Sequence, residues 1–312
     1  MDWDSILKQV ERAVRPHRGA GRVATYIPAL AQVDPQHFGL AIAFPDGTVH
    51  TLGDAHERFS IQSISKVFTL TLALREVGDR LWERVGREPS GSAFHSIVQL
   101  ESERGIPRNP LINAGAIVTT DHLVALQPPG DDPASGVMAQ LLELLRRLAE
   151  DPSIAVDPVV AQSEAQTGSR NRALAHFMAS FGNMAAPVEQ TLAAYFRHCA
   201  ISMNCVQLAR AARFLACDGV DPISGTPILS EQGCRRVNAV MMACGHYDNS
   251  GDFAYRIGLP GKSGVGGGIL AVAPKRAAIA VWSPGLNAAG TSMVGGLALE
   301  ELVRATGWSV FG

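Results

Sequence analysis

Phe59-Ser60-Ile61-Gln62-Ser63-Ile64-Ser65-Lys66-Val67-Phe68-Thr69-Leu70-Thr71-Leu72-Ala73-Leu74 carries a polar turn straight into an apolar helix, with a serine and a lysine three residues apart at the join. Positions i and i+3 of a helix share one face, so the Ser63 hydroxyl and the Lys66 amine are expected side by side. A serine hydroxyl is a weak nucleophile at neutral pH and needs a base within hydrogen-bond reach. A buried helix N-terminus adds a dipole that favours developing negative charge. The spacing recurs in Ser5-Ile6-Leu7-Lys8, in an amphipathic N-terminal stretch where Asp4 or Ser5 reads as a cap. That copy reads as a solvated helix start.

Outward from the serine, the pattern alternates between sheet and helix only at the chain ends. A helix is predicted near residues 4–14 and a loop over 22–28. Residues 38–44 read as a strand, Pro45-Asp46-Gly47 as a turn and 48–52 as the hairpin partner. Helices follow at about 63–76 and 112–125, then a surface loop at Gln127-Pro128-Pro129-Gly130-Asp131-Asp132-Pro133. Residues 137–250 read as mostly helical, with Pro187 in a first turn. Strands return at 253–258, 268–273 and 277–283, and a last helix covers 291–306. Strands at both ends with helices between them predict an α+β fold in one domain over residues 1–312. An antiparallel sheet built from about 36–60 and 252–312 carries packed helices, and a helical lobe, about 63–250, is inserted between its halves.

Composition narrows the function. Hydrophobic residues make up 46% and charged residues 18% of the 312, enough for a large core. A net charge of −2 and 6% aromatics give no electrostatic or stacking case for nucleic acid. No apolar run reaches bilayer length, and the acidic start Met1-Asp2-Trp3-Asp4 lacks the order of a signal peptide, so a cytoplasmic protein without membrane attachment is expected. The five cysteines form no C-x-x-C pair and read as reduced core thiols. The nine histidines show no ligand spacing, so no structural metal is expected.

Further strings bear on chemistry. Lys262-Ser263-Gly264 places a second cation, suited to walling a pocket and binding an anionic group. Gly261-Lys262-Ser263 imitates a phosphate loop, but Arg256 stands where its first glycine belongs and Gly266-Gly267-Gly268 is a poor helix start. The glycines fit close backbone approach instead, with the Val265 amide pairing with that of Ser63 as an oxyanion hole. Ser169-Arg170-Asn171, Ser202-Met203-Asn204 and Tyr247-Asp248-Asn249 all satisfy S-x-N or Y-x-N, so that pattern does not discriminate. Asn109 or Asn113 reads either as a helix cap or, with Ala114-Gly115-Ala116 removing bulk, as part of a pocket. Ser163-Glu164 through Asn171 is polar and dense, a surface loop or a binding segment.

Ser-x-x-Lys followed by Lys-Ser-Gly resembles the outer signatures of the penicillin-recognising serine hydrolases. A closer resemblance comes from Tyr26-Ile27-Pro28, Ile61-Gln62-Ser63-Ile64-Ser65-Lys66, Glu88-Pro89-Ser90-Gly91, Asn109-Pro110 through Ala116, Ser163-Glu164 with Gly168 and Arg170-Asn171, Tyr247-Asp248, and Gly258-Leu259-Pro260-Gly261-Lys262-Ser263-Gly264-Val265. These resemble, in order and over nearly the whole chain, the serine-dependent glutaminases of the compact bacterial kind. The resemblance implies a β-lactamase/DD-peptidase-like fold and hydrolysis of L-glutamine to L-glutamate and ammonia through an acyl-enzyme, with no cofactor. It implies Ser63 as nucleophile, Lys66 and Tyr247 in proton transfer, and the Ser63 and Val265 amides on the oxyanion. For the substrate's zwitterionic head it implies Glu164 on the α-ammonium, Asn113, Asn171 and Tyr195 on the α-carboxylate, Tyr26 closing the pocket, and Gln62 and Lys262 in its wall. A homo-oligomer, dimer or tetramer, is implied as well. The alternatives are a β-lactamase-like or penicillin-binding hydrolase and a non-catalytic amino-acid-binding module; β-lactam turnover supports the first and ammonia release from glutamine excludes the second. Ala165-Gln166-Thr167 replaces more charged residues of the family's pattern.

Overall fold

The computed structural model describes residues 1–90, 97–128 and 132–312. Gly91 of the Glu88–Gly91 string and residues 129–131 of the expected surface loop lie outside them. The strands, in chain order, are β1 (Gly39–Ala43), β2 (Val49–Gly53), β3 (Phe59–Ser60), β4 (Ala155–Val156), β5 (Ile201–Met203), β6 (Gly261–Ser263), β7 (Gly268–Ala273) and β8 (Ala277–Trp282). Five of them form an antiparallel sheet in the order β2-β1-β8-β7-β6. Gly39 pairs with Trp282 across β1 and β8, so the two chain ends do build one sheet. β3 was expected within this sheet but pairs with β5 in a separate three-stranded ladder, β3-β5-β4, inside the helical region.

Alternation explains what covers each face. Leu40, Ile42, Ile269, Ile279 and Val281 point to one side, where the helices Trp3–Val14 and Met293–Thr306 bury them with Val10, Val14, Ala298 and Leu302. Ala41, Ala43, Ala278 and Ala280 point to the other, and their small size lets the helix Cys205–Ala211 lie close on β1 and β8. At the centre of the lobe stand the helices Ser65–Val77 and Asn113–Ala125, buried on nearly every side, as their largely apolar or small residues allow. Asp121 is wholly buried and ties this centre to its surroundings, accepting from Arg84, Thr191 and the amides of Ala185 and Ala186.

Several local expectations change. Residues 253–258 form no strand; Ser250–Arg256 is a helix. The Ser250 hydroxyl donates to Tyr247 O and accepts from His246 N, starting the helix, while Phe253 and Ile257 turn one face to the core and Tyr255 faces out. The strand lies further on, at Gly261–Ser263. Asp2 caps the first helix, accepting from Ser5 N at 3.2 Å, in place of Asp4 or Ser5. Pro187 stands at the N-cap just before the helix Val188–Cys199. Gly115 answers to packing and not to a pocket: a Cβ there would run into the Asn109 carbonyl. Among the described residues no helix is long and apolar enough to cross a membrane.

Candidate active site

Ser63 lies within a 3-10 turn, Gln62–Ile64, immediately before the helix Ser65–Val77. Gln62 takes φ +49°, a conformation that non-glycine residues seldom adopt. Tyr247 does the same at φ +56°, in the turn Tyr247–Asn249. The two unusual backbones bring their residues together: burial raises the pKa of the Tyr247 hydroxyl, and the Ser63 side chain facing it pulls the other way. Non-glycine residues held in sparse regions of backbone space cluster at active sites.

Lys66 is wholly buried and donates to Asn113 Oδ1 at 2.7 Å and to Leu111 O at 3.4 Å. Asn113 Nδ2 in turn donates to Asn171 Oδ1 at 3.0 Å, so a lysine and two asparagines from three helices form one chain. Asn113 is the first residue of its helix, and it is Asn109 that serves the preceding turn, accepting from the amides of Leu111 and Ile112. Burial pulls the Lys66 pKa down to about 8, with Glu164 working in the opposite direction. Burial likewise pushes Glu164 up to about 7, against the pull of a Gln62 hydrogen bond and the Lys66 charge. Gln62 also donates to Ser60 Oγ at 3.0 Å, so its amide is fixed between the strand before Ser63 and the acidic group. Tyr195 is buried, which raises its pKa well above the ordinary value, and its ring, like that of Tyr247, stands 5.8 Å from Lys66 Nζ.

Lys262 departs from expectation. Its ammonium is wholly buried, donating to Gly245 O at 3.0 Å and Ser263 O at 2.6 Å, 4.1 Å from the centre of the Tyr247 ring. Burial and the like charge of Lys66 drive its pKa well down. Gly245 makes this possible, since any Cβ there would strike Gly261 O. Lys262 therefore braces Tyr247 from behind, and its ammonium is committed to backbone carbonyls rather than offered to an anionic group.

The turn after β6 shows why its glycines are needed. A Cβ on Gly264 would stand 2.6 Å from Ile61 O, and one on Gly266 would strike Ser60 O. The turn thus lies directly on the backbone leading to Ser63. Among the described residues neither the Ser63 nor the Val265 amide donates a hydrogen bond. A strand and not a helix follows Lys262-Ser263, at odds with any phosphate loop.

Tyr26, 55% exposed, lines two clefts. One, of about 400 Å³, is bounded by Asn113, Glu164, Arg170 and Asn171. The other includes Val265 and Asp248. Of the three S-x-N or Y-x-N strings, Asn204 makes a capping box with Gln207, while Asn171 is bonded to Asn113 and Tyr247 faces Ser63. Sequence reasoning missed Ser65 and His198 at the turn that carries Ser63, and read Cys199 only as a core thiol.

An antiparallel sheet from both chain ends, an inserted helical lobe and a serine–lysine pair at the base of the first lobe helix define a β-lactamase-like α+β protein. The glutaminase family model matches residues 21–311. A glutaminase of Sinorhizobium fredii is 58% identical over 311 residues, covering 100% of this chain and 97% of its own length. One from Methylorubrum populi is 59% identical, covering 100% and 99%. Among solved structures, the probable glutaminase ybaS superposes with a TM-score of 0.91 at 36% identity, over 100% of this chain and 99% of its own. A probable glutaminase from Bacillus subtilis complexed with 6-diazo-5-oxo-L-norleucine gives a TM-score of 0.87 at 32% identity, over 98% and 96%. The chain belongs to the glutaminase family, and it is an amidohydrolase of glutamine.

Proposed function

We propose that hydrolysis of L-glutamine proceeds through an acyl-enzyme on Ser63. The observation that carries this reading is the Ser63 side chain facing a Tyr247 braced by Lys262, with Lys66 buried 5.8 Å from the rings of Tyr195 and Tyr247. Ser63 Oγ attacks the side-chain amide carbon as its proton passes by way of Tyr247 toward Lys66, whose burial brings it near neutrality. The Ser63 and Val265 amides take the oxyanion, a role open to donors with no other partner. The relayed proton goes to the leaving ammonia, and water then releases glutamate by the reverse route.

Glu164 takes the α-ammonium, since a buried carboxylate gains most from an incoming cation. Asn113, Asn171 and Tyr195 receive the α-carboxylate, and Tyr26 closes the cleft near the amine. Lys262 supports this pocket through Tyr247. The five unpaired cysteines suit a reducing compartment, and on that ground we place the enzyme in the cytoplasm. The family resemblance further suggests one catalytic domain per chain and a homo-oligomer, which light scattering on the purified protein will test.

A diazoketone shaped like glutamine tests the covalent step. The diazo carbon of 6-diazo-5-oxo-L-norleucine takes up a proton, Ser63 Oγ forms a bond to that carbon, and dinitrogen leaves. Peptide mass mapping is expected to find the adduct on Ser63. An adduct confined to another residue, or none while activity persists, overturns the reading.

A further inference from the structure

Behind the nucleophile lies a wholly buried imidazole to which no role has been given. His198 Nδ1 is 2.7 Å from Ser65 Oγ, and its Nε2 is 3.2 Å from Thr120 Oγ1. Both hydroxyls also face a backbone carbonyl: Ser65 donates to Gln62 O at 2.7 Å and Thr120 to Ala116 O at 2.8 Å. Each hydroxyl has one proton to donate, and a neutral imidazole has one. Four hydrogen bonds would need a fourth proton, which only an imidazolium could supply. Burial, with Lys66 nearby, pushes His198 down to about 3, so the ring is neutral and one of the four bonds has no proton. Of these four the Nε2–Thr120 contact is the longest and the one to lose it, and the Cys199 thiol, 3.9 Å from Nδ1, is too far to displace Ser65 there. The ring proton then sits on Nδ1.

We propose that His198 is a positioning residue for Ser63: as the Nδ1–H tautomer it donates to Ser65, which frees the Ser65 proton for the Gln62 carbonyl and fixes the peptide that precedes the nucleophile. That peptide is the sensitive one. In a planar trans unit the C=O and N–H point in opposite directions. Holding Gln62 O therefore aims the Ser63 N–H, the amide assigned to the oxyanion. Gln62 also sits at φ +49°, a conformation that needs outside support. The chain His198–Ser65–Gln62 O supplies that support from the lobe.

The proposal rests on Ser63 as nucleophile and on its amide in the oxyanion hole. The asparagine amide reaches about as far as Nδ1, whereas that of glutamine reaches out to Nε2. His198→Asn keeps a donor for Ser65 and is expected to hold kcat within about threefold of wild type. His198→Gln and Ser65→Ala are each expected to lower kcat about ten- to a hundredfold, with KM for glutamine within about twofold, because the loss is one of aim. Combining the two is expected to cost no more than either alone. In ¹⁵N spectra of the wild-type enzyme, Nδ1 of His198 is expected to be the protonated nitrogen. Equal losses in His198→Asn and His198→Gln, wild-type kcat in Ser65→Ala, additive losses, or a proton on Nε2 each overturn the proposal. Should the His198 variants fail to fold, Ser65→Ala and the wild-type spectrum decide. Turnover retained by Ser63→Ala instead sinks the nucleophile assignment, while the tautomer reads out independently of it.

Discussion

Lys8 stands exposed on the helix that covers the outer face of the sheet, three residues after an equally exposed Ser5. Lys66, at the same spacing from Ser63, is sealed inside the lobe, held by Asn113 and drawn down to about 8. The apolar pair between serine and lysine in the first string turns inward, so both polar residues are left in water. In the second, every residue from Ile61 to Ala73 is buried, and the polar ones had to find partners or shift their ionisation. A four-residue pattern acquires chemistry only when desolvation forces it.

The most damaging change expected is Ser63→Ala. Turnover, followed by ammonia release, should fall by about 10⁴-fold or more with the circular dichroism unchanged, whereas Ser5→Ala should keep wild-type rates. A folded Ser63→Ala that keeps more than a few percent of activity breaks the contrast at its root. Lys66→Ala is expected to follow at about 10³-fold, with Lys8→Ala silent; equal effects at the two lysines would show that context does not matter.

Glu164→Gln preserves shape and removes charge. It should reduce kcat/KM for glutamine by about a hundredfold, the worth of one charge-assisted contact. It should also abolish the preference for glutamine over an analogue lacking the α-amino group. Wild-type kinetics would place the ammonium pocket elsewhere.

The pH profile sharpens the comparison further. Ionised Glu164 and neutral Lys66 both form as pH rises, so kcat/KM should climb through about 7 and about 8. In Glu164→Gln the lower step should vanish and the upper one move down, since the Glu164 charge holds Lys66 up. The smallest effect is on stability. The Glu164 pKa is higher folded than unfolded, so its contribution falls as pH rises from 4.5 to about 7 and the full penalty remains above that. Glu164→Gln should therefore gain about 1–3 kcal/mol in urea melts at pH 8, where Lys8→Ala shifts nothing measurable. A gain that persists at pH 4 would point to packing instead of charge.

Much of the sheet could be read directly. The stretches 38–44, 268–273 and 277–283 are apolar, short and bounded by turn residues, and they became β1, β7 and β8. β6 could not be read that way, because its three residues, Gly261-Lys262-Ser263, contain nothing apolar and are buried by what packs on them. The 253–258 stretch misled through Phe253 and Tyr255, aromatic residues common in strands; their i, i+2 spacing hid the i, i+4 face formed by Phe253 and Ile257. Of the proposed site residues, Ser63 and Lys66 stand out as polar residues set at the start of an apolar helix, whereas Asn113, Glu164, Asn171 and Tyr247 were assigned through the family resemblance. Their wiring was not legible in either way. Which hydroxyl faces Ser63, and that Lys262 turns to Gly245 O, depend on two left-handed backbones and a close glycine contact that no spacing reveals.

The absent side chains of Gly264 and Gly266 have a practical consequence. They let a turn of the sheet rest on the lobe at Ser60-Ile61, with Val265 on one side of the seam and Ser63 on the other. If both amides serve one oxyanion, the rate of the enzyme is a gauge of how well its two halves are seated. Gentle warming or dilute urea that lets the seam slip by a fraction of an ångström should silence the enzyme while its ellipticity still looks native. Loss of turnover would then sound the alarm before any melting curve begins to bend.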